Sequence, residues 1–252
     1  MNRWVKIWVV LWLLLPLNSF GCELMIFGNA NKYPKVYEEQ GVAKGILIDM
    51  MEYVAAKTGC QFSYRLSPWK RAYVDMLHGK GGVIGLSWTS EREQQIDYSE
   101  VMFVDTILIV TRADSQFQFA GLNDLAGKRV LYSRGASYGD QFDLAVENRL
   151  FEAIHDNGDI ASRIKFVLRG RADVALVGPG HAAVENVIAM DPFLSINRSE
   201  IAILEQPLKK DNNYLGFAKG SQSAELLERI NSAIRTGVES GAFQQIEAGY
   251  AQ

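Results

Sequence analysis

The stretch Ser87-Trp88-Thr89-Ser90-Glu91-Arg92 holds the residues of this chain best suited to gripping an anion. An apolar run, Val83-Ile84-Gly85-Leu86, ends in small hydroxyl residues, and Arg92 follows three positions after Thr89. That order brings free backbone N–H groups, the hydroxyls of Ser87 and Thr89, and a guanidinium to the point where a strand gives way to a turn. Backbone donors and a planar guanidinium fork together suit a carboxylate. The same residues also describe an arginine on a solvated turn, so the rest of the chain has to decide between the two.

Chemistry of other kinds has little support. His78, His155 and His181 stand apart, with no His or Cys at metal-ligand spacing. No Gly-x-Ser-x-Gly elbow or phosphate loop occurs, and no carboxylate can be assigned as a general acid. The expectation is a binding protein with no catalytic residue, no metal and no cofactor.

The elements that position Arg92 alternate between strand-like and helix-like segments, the pattern of a parallel sheet with crossover helices. Strand 24–28 leads into the polar loop Asn29 to Pro34. A helix with Asp49 as its N-cap runs to Lys57 and stops at Gly59. Strand 60–66 follows, then a helix opened by Ser67-Pro68, with Trp69, Ala72, Tyr73, Met76 and Leu77 on one face. Strand 83–87 ends at the hydroxyl cluster. After the strand 103–110 and a linker, a second unit begins near Leu122. Its first strand ends in Ser133-Arg134-Gly135-Ala136-Ser137-Tyr138-Gly139, again small and polar. Helix 160–171, strand 173–177, a polar stretch 209–213, strand 214–218 and an amphipathic helix holding Leu226, Ile230 and Ile234 complete the pattern. Two such units imply two facing edges with a small polar ligand in the crevice between them.

Residues 1–21 stand outside this fold. Arg3 and Lys6 precede the apolar run Ile7 to Leu17, and Ser19-Phe20-Gly21 offers small residues before a cleavage point, the pattern of a secretory signal peptide. Loss of Arg3 and Lys6 takes the formal net charge from −3 to −5. A mildly acidic chain without basic runs argues against nucleic acid and anionic membrane surfaces. The expectation is a soluble, monomeric protein outside the inner membrane. Cys22 and Cys60 each open a strand-like run. If those strands are parallel neighbours, a disulfide is geometrically feasible in an oxidising compartment. Two free thiols, or a lipid anchor at Cys22, are the alternatives.

The chain resembles family 3 of the bacterial extracytoplasmic solute-binding proteins, which serve polar amino acid ABC transporters, as a divergent member. The resemblance rests on Gly45-Ile46-Leu47-Ile48-Asp49-Met50, Thr89-Ser90-Glu91-Arg92 with Ile96-Asp97-Tyr98-Ser99, Asp124 to Val130, Gly170-Arg171-Ala172-Asp173-Val174-Ala175, and Ser240 to Ile246. It implies the two-lobed α/β fold of periplasmic binding proteins (type II), each lobe a mainly parallel sheet flanked by helices, joined by a two-strand hinge. Lobe one would hold 22–110 plus 212–252, and lobe two 111–211. The resemblance implies that Arg92 clamps a carboxylate, with Ser87 and Thr89 beside it. It further implies that Gly135, Ala136 and Ser137 donate N–H groups, that Asn29 lines the site, and that Tyr33 and Trp69 wall it. The partners implied are a small carboxylate ligand and an inner-membrane permease or sensor. A dehydratase or lyase on the same fold is the enzymatic alternative.

One departure stands out. Members that bind α-amino acids usually carry an Asp five residues beyond the Asp of the Gly-Arg-x-Asp motif, which pairs with the ligand's ammonium. Here that position is Gly178, followed by Pro179 and Gly180. Pro68-Trp69-Lys70-Arg71-Ala72 resembles a divergent branch of the family, with Arg71 either a second anion contact or a helix-surface charge.

Overall fold

The computed structural model describes residues 22–222 and 224–250; the segment 1–21, expected from the sequence to be a signal peptide, lies outside them. Lobe one begins with β1 (Glu23–Asn29), β2 (Asn31–Lys32), β3 (Val36–Glu39) and β4 (Val42–Lys44), then α1 (Ile46–Thr58), β5 (Gln61–Ser67) and α2 (Trp69–Leu77). It continues through β6 (Gly82–Ser87), α3 (Ser90–Glu93), β7 (Ile96–Tyr98) and the long β8 (Phe103–Arg112). Lobe two holds β9 (Arg129–Ser133), α4 (Asp140–Glu147), β10 (Glu152–Asp156), α5 (Ile160–Leu168), β11 (Val174–Val177), α6 (His181–Met190), α7 (Pro192–Ile196) and β12 (Ile201–Ile203). The chain returns along β13 (Lys209–Ala218) and ends in α8 (Ala224–Glu239) and α9 (Ala242–Gly249).

Parallel pairs form the centre of each lobe: β5–β1–β6 in the first and β10–β9–β11 in the second. Between them run β8 and β13, antiparallel to each other over 103–107 and 209–213. Beyond that stretch β8 pairs with β11 and β12, while β13 pairs with β6 and β7. Two strands thus pass from one sheet to the other. Sequence reading starts the last strand at Tyr214, but the polar stretch 209–213 is itself strand, because its backbone pairs with β8 whatever its side chains.

Alternation along each strand builds two cores per lobe. In β11, Val174 and Leu176 face Phe142 and Phe151, whereas Ala175 and Val177 face Ile164 and Val184. In β1, Leu24 and Ile26 face Met50 and Ile234, whereas Phe27 faces Met76. Such strands, covered on both faces, are the expected form for a parallel sheet.

β6 breaks the alternation to functional effect. Tyr214 pairs with Leu86 and Leu215 with Ile84, so Gly85 is an extra residue, a β-bulge at φ +75°. Val83 and Leu86 therefore share the α2 face despite their odd spacing. Ser87 is turned to the side of Ile84, where both line the interlobe cleft.

Helix starts differ from the sequence reading. α1 begins at Ile46 behind Gly45, not at Asp49, which lies in the first turn and accepts a hydrogen bond from Tyr250 Oη at 2.7 Å. Gly45 has φ +122°, and a Cβ there would sit 2.6 Å from the Lys35 carbonyl oxygen, so the chain can start the helix only through glycine. α2 begins at Trp69 with Pro68 in the capping position, one residue later than the pattern suggested. Cys22 and Cys60 form a disulfide with Cα atoms 4.6 Å apart, just before the paired residues Glu23 and Gln61. The parallel-neighbour condition is met. Among the described residues no helix is long and apolar enough to cross a membrane.

Candidate functional site

A cleft of about 920 Å³ opens between the lobes at the carboxyl ends of β1, β6 and β9. Of the residues expected there, Asn29, Tyr33, Trp69, Ser87, Arg92, Gly135, Ala136 and Ser137 all line it.

Arg92 is held from three directions. Thr89 caps α3: its hydroxyl accepts the Arg92 backbone N–H at 3.1 Å, which fixes the start of the turn. The guanidinium donates through Nη1 to the Ser87 carbonyl at 3.0 Å. Its Cζ lies 5.2 Å from the Tyr73 ring centre and 6.0 Å from that of Trp69, so both aromatics of α2 brace it. The remaining donors have no acidic partner among the described residues. Thr89 itself is absent from the cleft lining; its hydroxyl serves the turn. Ser87 Oγ donates to Asp211 Oδ2 at 2.6 Å, and Asp211 is paired with Lys209 at 2.8 Å. Arg71 points away, its side chain 77% exposed, and is a helix-surface charge.

The opposite edge is the turn after β9. Gly135 there has φ +72°, and a Cβ built on it would lie 3.6 Å from Trp69 Cδ1, so the indole reaches over the turn from the other lobe. The Ala136 N–H donates to Ser133 O at 3.4 Å, and Ser137 Oγ accepts the Gly139 N–H at 3.3 Å. The N–H groups of Gly135 and Ser137 have no acceptor among the described residues, which leaves them for a ligand.

Sequence reading missed the charged floor of the cleft. Lys32 Nζ donates to Ser133 Oγ at 2.6 Å, a contact between the lobes. Burial, together with Arg163 and Lys35 nearby, pushes the Lys32 amine down to about 7. Lys35 pairs with Asp105 and donates to Asn213 Oδ1 at 2.9 Å. Arg163, 3% exposed, pairs with Asp156 at 2.8 Å and donates to Gly158 O at 2.6 Å. The loop Lys32-Tyr33-Pro34-Lys35 follows a strand's carboxyl end, where this class of fold binds ligands; that was the available signal for the two lysines. Asp105 and Arg163 carried none, being single charges inside apolar-looking segments.

Gly178 lies where an ammonium-binding acid was expected, and the structure puts another carboxylate next to it. A Cβ at Gly178 would be 3.7 Å from Asp105 Oδ1. That oxygen is buried without a partner, while Oδ2 is held by Lys35 and Asn213. The acid is therefore present but already neutralised from within the protein. The lobes also meet where Tyr33 Oη donates to Met190 Sδ at 3.9 Å and Ser90 Oγ to Asp140 Oδ2 at 3.5 Å.

Comparison with known proteins agrees with this architecture. The family described as bacterial extracellular solute-binding proteins, family 3, matches residues 24–252. The arginine-binding extracellular protein ArtP of Bacillus subtilis (strain 168) is 22% identical over 265 aligned positions, covering 98% of this chain and 97% of that protein. Among solved structures, a histidine kinase sensor domain with similarity to periplasmic binding proteins superposes with a TM-score of 0.74 at 21% identity, covering 91% and 96% of the two chains. The arginine-, lysine-, histidine-binding protein ArtJ from Geobacillus stearothermophilus gives 0.70 at 19% identity, covering 90% and 94%.

Proposed function

We propose, for a chain that belongs to the bacterial extracellular solute-binding proteins of family 3, that it captures a small carboxylate-bearing solute between its lobes and presents it to an ABC-type importer. The observation that carries this reading is Arg92: a braced guanidinium with free donors and no carboxylate partner among the described residues, in a cleft faced by unpaired backbone N–H groups. A ligand carboxylate would receive the fork of Arg92 from lobe one and the Gly135 and Ser137 amides from lobe two. Trp69 and Tyr33 would wall it, with Ser87, Ala136 and Asn29 completing the lining. We take the lobes as 22–110 plus 212–252 and 111–211, hinged on β8 and β13. Both edges are satisfied only on closure, so ligand should favour the closed form. The protein would act outside the inner membrane as a monomer, the Cys22–Cys60 bridge occupying the sulfur that a lipid anchor needs. We read the chain as a binding protein and not an enzyme; a structure at TM-score 0.71 and 17% identity is described as an ancestral amino acid-binding protein, a precursor of cyclohexadienyl dehydratase.

A thermal-shift screen of amino acids, oxo acids, mono- and dicarboxylates tests the reading. At least one carboxylate should raise the melting temperature of the wild type and not of Arg92→Ala. Stabilisation that survives in Arg92→Ala, or no response to any carboxylate, would overturn it.

A further inference from the structure

We propose that the cleft selects a small solute with two acidic groups and no free amine, one group on Arg92 and the other on Lys32. The inference rests on the capture reading and goes on to name its ligand class.

The charges lining the cleft carry the argument. Five acids line it, and four are paired with cations: Asp105 with Lys35, Asp156 with Arg163, Asp191 with Lys165 at 2.5 Å and Asp211 with Lys209, while the exposed Asp159 caps α5 by accepting the Ser162 N–H at 2.8 Å. An ammonium or guanidinium entering the buried part of the cleft would be desolvated among acids already paired with cations, which is unfavourable; the one acid without a cation partner among the described residues, Asp159, is exposed. Asp105, beside Gly178, already has its charge matched by Lys35. One carboxylate oxygen is buried beside Gly178 without a hydrogen-bond partner, and the other is held by Lys35. Lys35 in effect supplies from the protein the amine that an amino acid would otherwise bring.

The cations are not balanced in the same way. Lys70 and Arg134 are exposed at the rim. Inside, Arg92 and Lys32 both lack a carboxylate partner among the described residues. Lys32 makes one hydrogen bond, to the neutral Ser133 hydroxyl. It faces Arg163 of α5 and Lys35 of the lobe-one loop, opposed by Asp105 of β8 and Asp156 of β10, both already paired. An anionic group at Lys32 would supply the missing counter-charge. Because the amine sits near 7 in the unliganded cleft, such a group should also draw a proton onto it at neutral pH.

Calorimetry with succinate, glutarate and adipate tests the proposal, each compared with the monocarboxylate of equal chain length and, where one exists, the 2-amino dicarboxylate. Runs at pH 7.5 in two buffers of different ionisation enthalpy report proton uptake. At least one dicarboxylate should bind at least tenfold tighter than both its monocarboxylate and its amino counterpart, with net proton uptake. Lys32→Met, confirmed folded by its melting curve, should lower that affinity about 10- to 100-fold and abolish the uptake. The proposal is overturned if the amino form binds more tightly than the deaminated one, if the monocarboxylate equals the dicarboxylate, or if no dicarboxylate binds. It is equally overturned if Lys32→Met keeps the preference. An amino acid or monocarboxylate whose binding depends on Arg92 would sink this inference and leave the capture reading standing; silence from every carboxylate would sink both.

Discussion

Two strand ends in this protein each pass from a serine into small polar residues with an arginine, and the two arginines are held differently. β6 ends in Ser87 and a cluster of small polar residues leading to Arg92, while β9 ends in Ser133 and leads to Arg134 through Ser137. Arg92 is turned inward by the Thr89 cap and pressed against Trp69 and Tyr73. Arg134 is exposed, and its backbone N–H donates to Asp156 O at 2.8 Å. An arginine beside a hydroxyl-rich turn is aimed into the cleft when the turn is capped and an aromatic face supports it, which is why we propose Arg92 and not Arg134 as the anion contact. The lobe-two turn contributes through its backbone instead, with Gly135 at φ +72° shaping the approach.

Substitutions that break this contrast should differ widely in size. Arg92→Ala removes the grip, and truncating one partner of a desolvated charged pair typically costs about 2–5 kcal/mol. Affinity should therefore fall roughly 30- to several-thousand-fold by calorimetry. Arg92→Lys keeps the charge but loses the fork and the stacking, so it should also bind poorly.

The lobes differ in covalent support as well. Lobe one is stapled at the starts of β1 and β5 by a bridge of sequence separation 38, while lobe two holds no cysteine. Reducing the bridge, or Cys22→Ser with Cys60→Ser, should cost about 2–4 kcal/mol in urea unfolding, provided the loss is read in lobe one.

The Lys32 corner gives a pH test. Its amine is near 7 in the folded protein and 10.5 in the ordinary state. Between those values the unfolded chain binds the extra proton, so this group makes stability rise as pH increases from about 7 towards 10. Urea midpoints of the unliganded wild type should show that rise more steeply than those of Lys32→Met. Equal slopes would show that Lys32 is not desolvated.

Smaller effects should follow at the edges. Thr89→Ala loses the cap of α3 and should cost about 1 kcal/mol of stability, with weaker ligand binding because Arg92 is less well aimed. Arg134→Ala, at the exposed counterpart, should change stability by less than about 0.5 kcal/mol and leave affinity within threefold of wild type. A larger loss there would erase the distinction between the two strand ends.

Alternation of strand and helix, and the repeat of small polar residues where strands end, could be read without coordinates because each is a local consequence of backbone and side-chain type. Arg92 was legible only in part: a hydroxyl three residues before an arginine at a strand end is a short-range signal, but it fits a solvated turn as well as an anion contact. Less local features escaped. The polar segment 209–213 has no strand signature of its own, yet it pairs with β8, and the bulge at Gly85 shows only in the register between β6 and β13. The small sheet of β2, β3 and β4 was too short to leave a pattern.

The sequence by itself determined an α/β chain of two units whose strands end in small polar residues, Arg92 among them as a candidate anion contact, and it put Cys22 and Cys60 at the starts of two strands. Periodicities and turn residues act over a few neighbours and can be read locally, whereas the hinge between the lobes and the role of Arg92 are what the family resemblance implies. Tertiary structure alone decided the state of charge of the cleft. Asp105 from a crossover strand, Lys32 and Lys35 from a lobe-one loop, and Arg163 from a lobe-two helix converge from positions far apart in the chain. Whether a charge there is balanced depends on which groups lie within a few ångströms, because Coulomb attraction and desolvation act through space and not along the sequence.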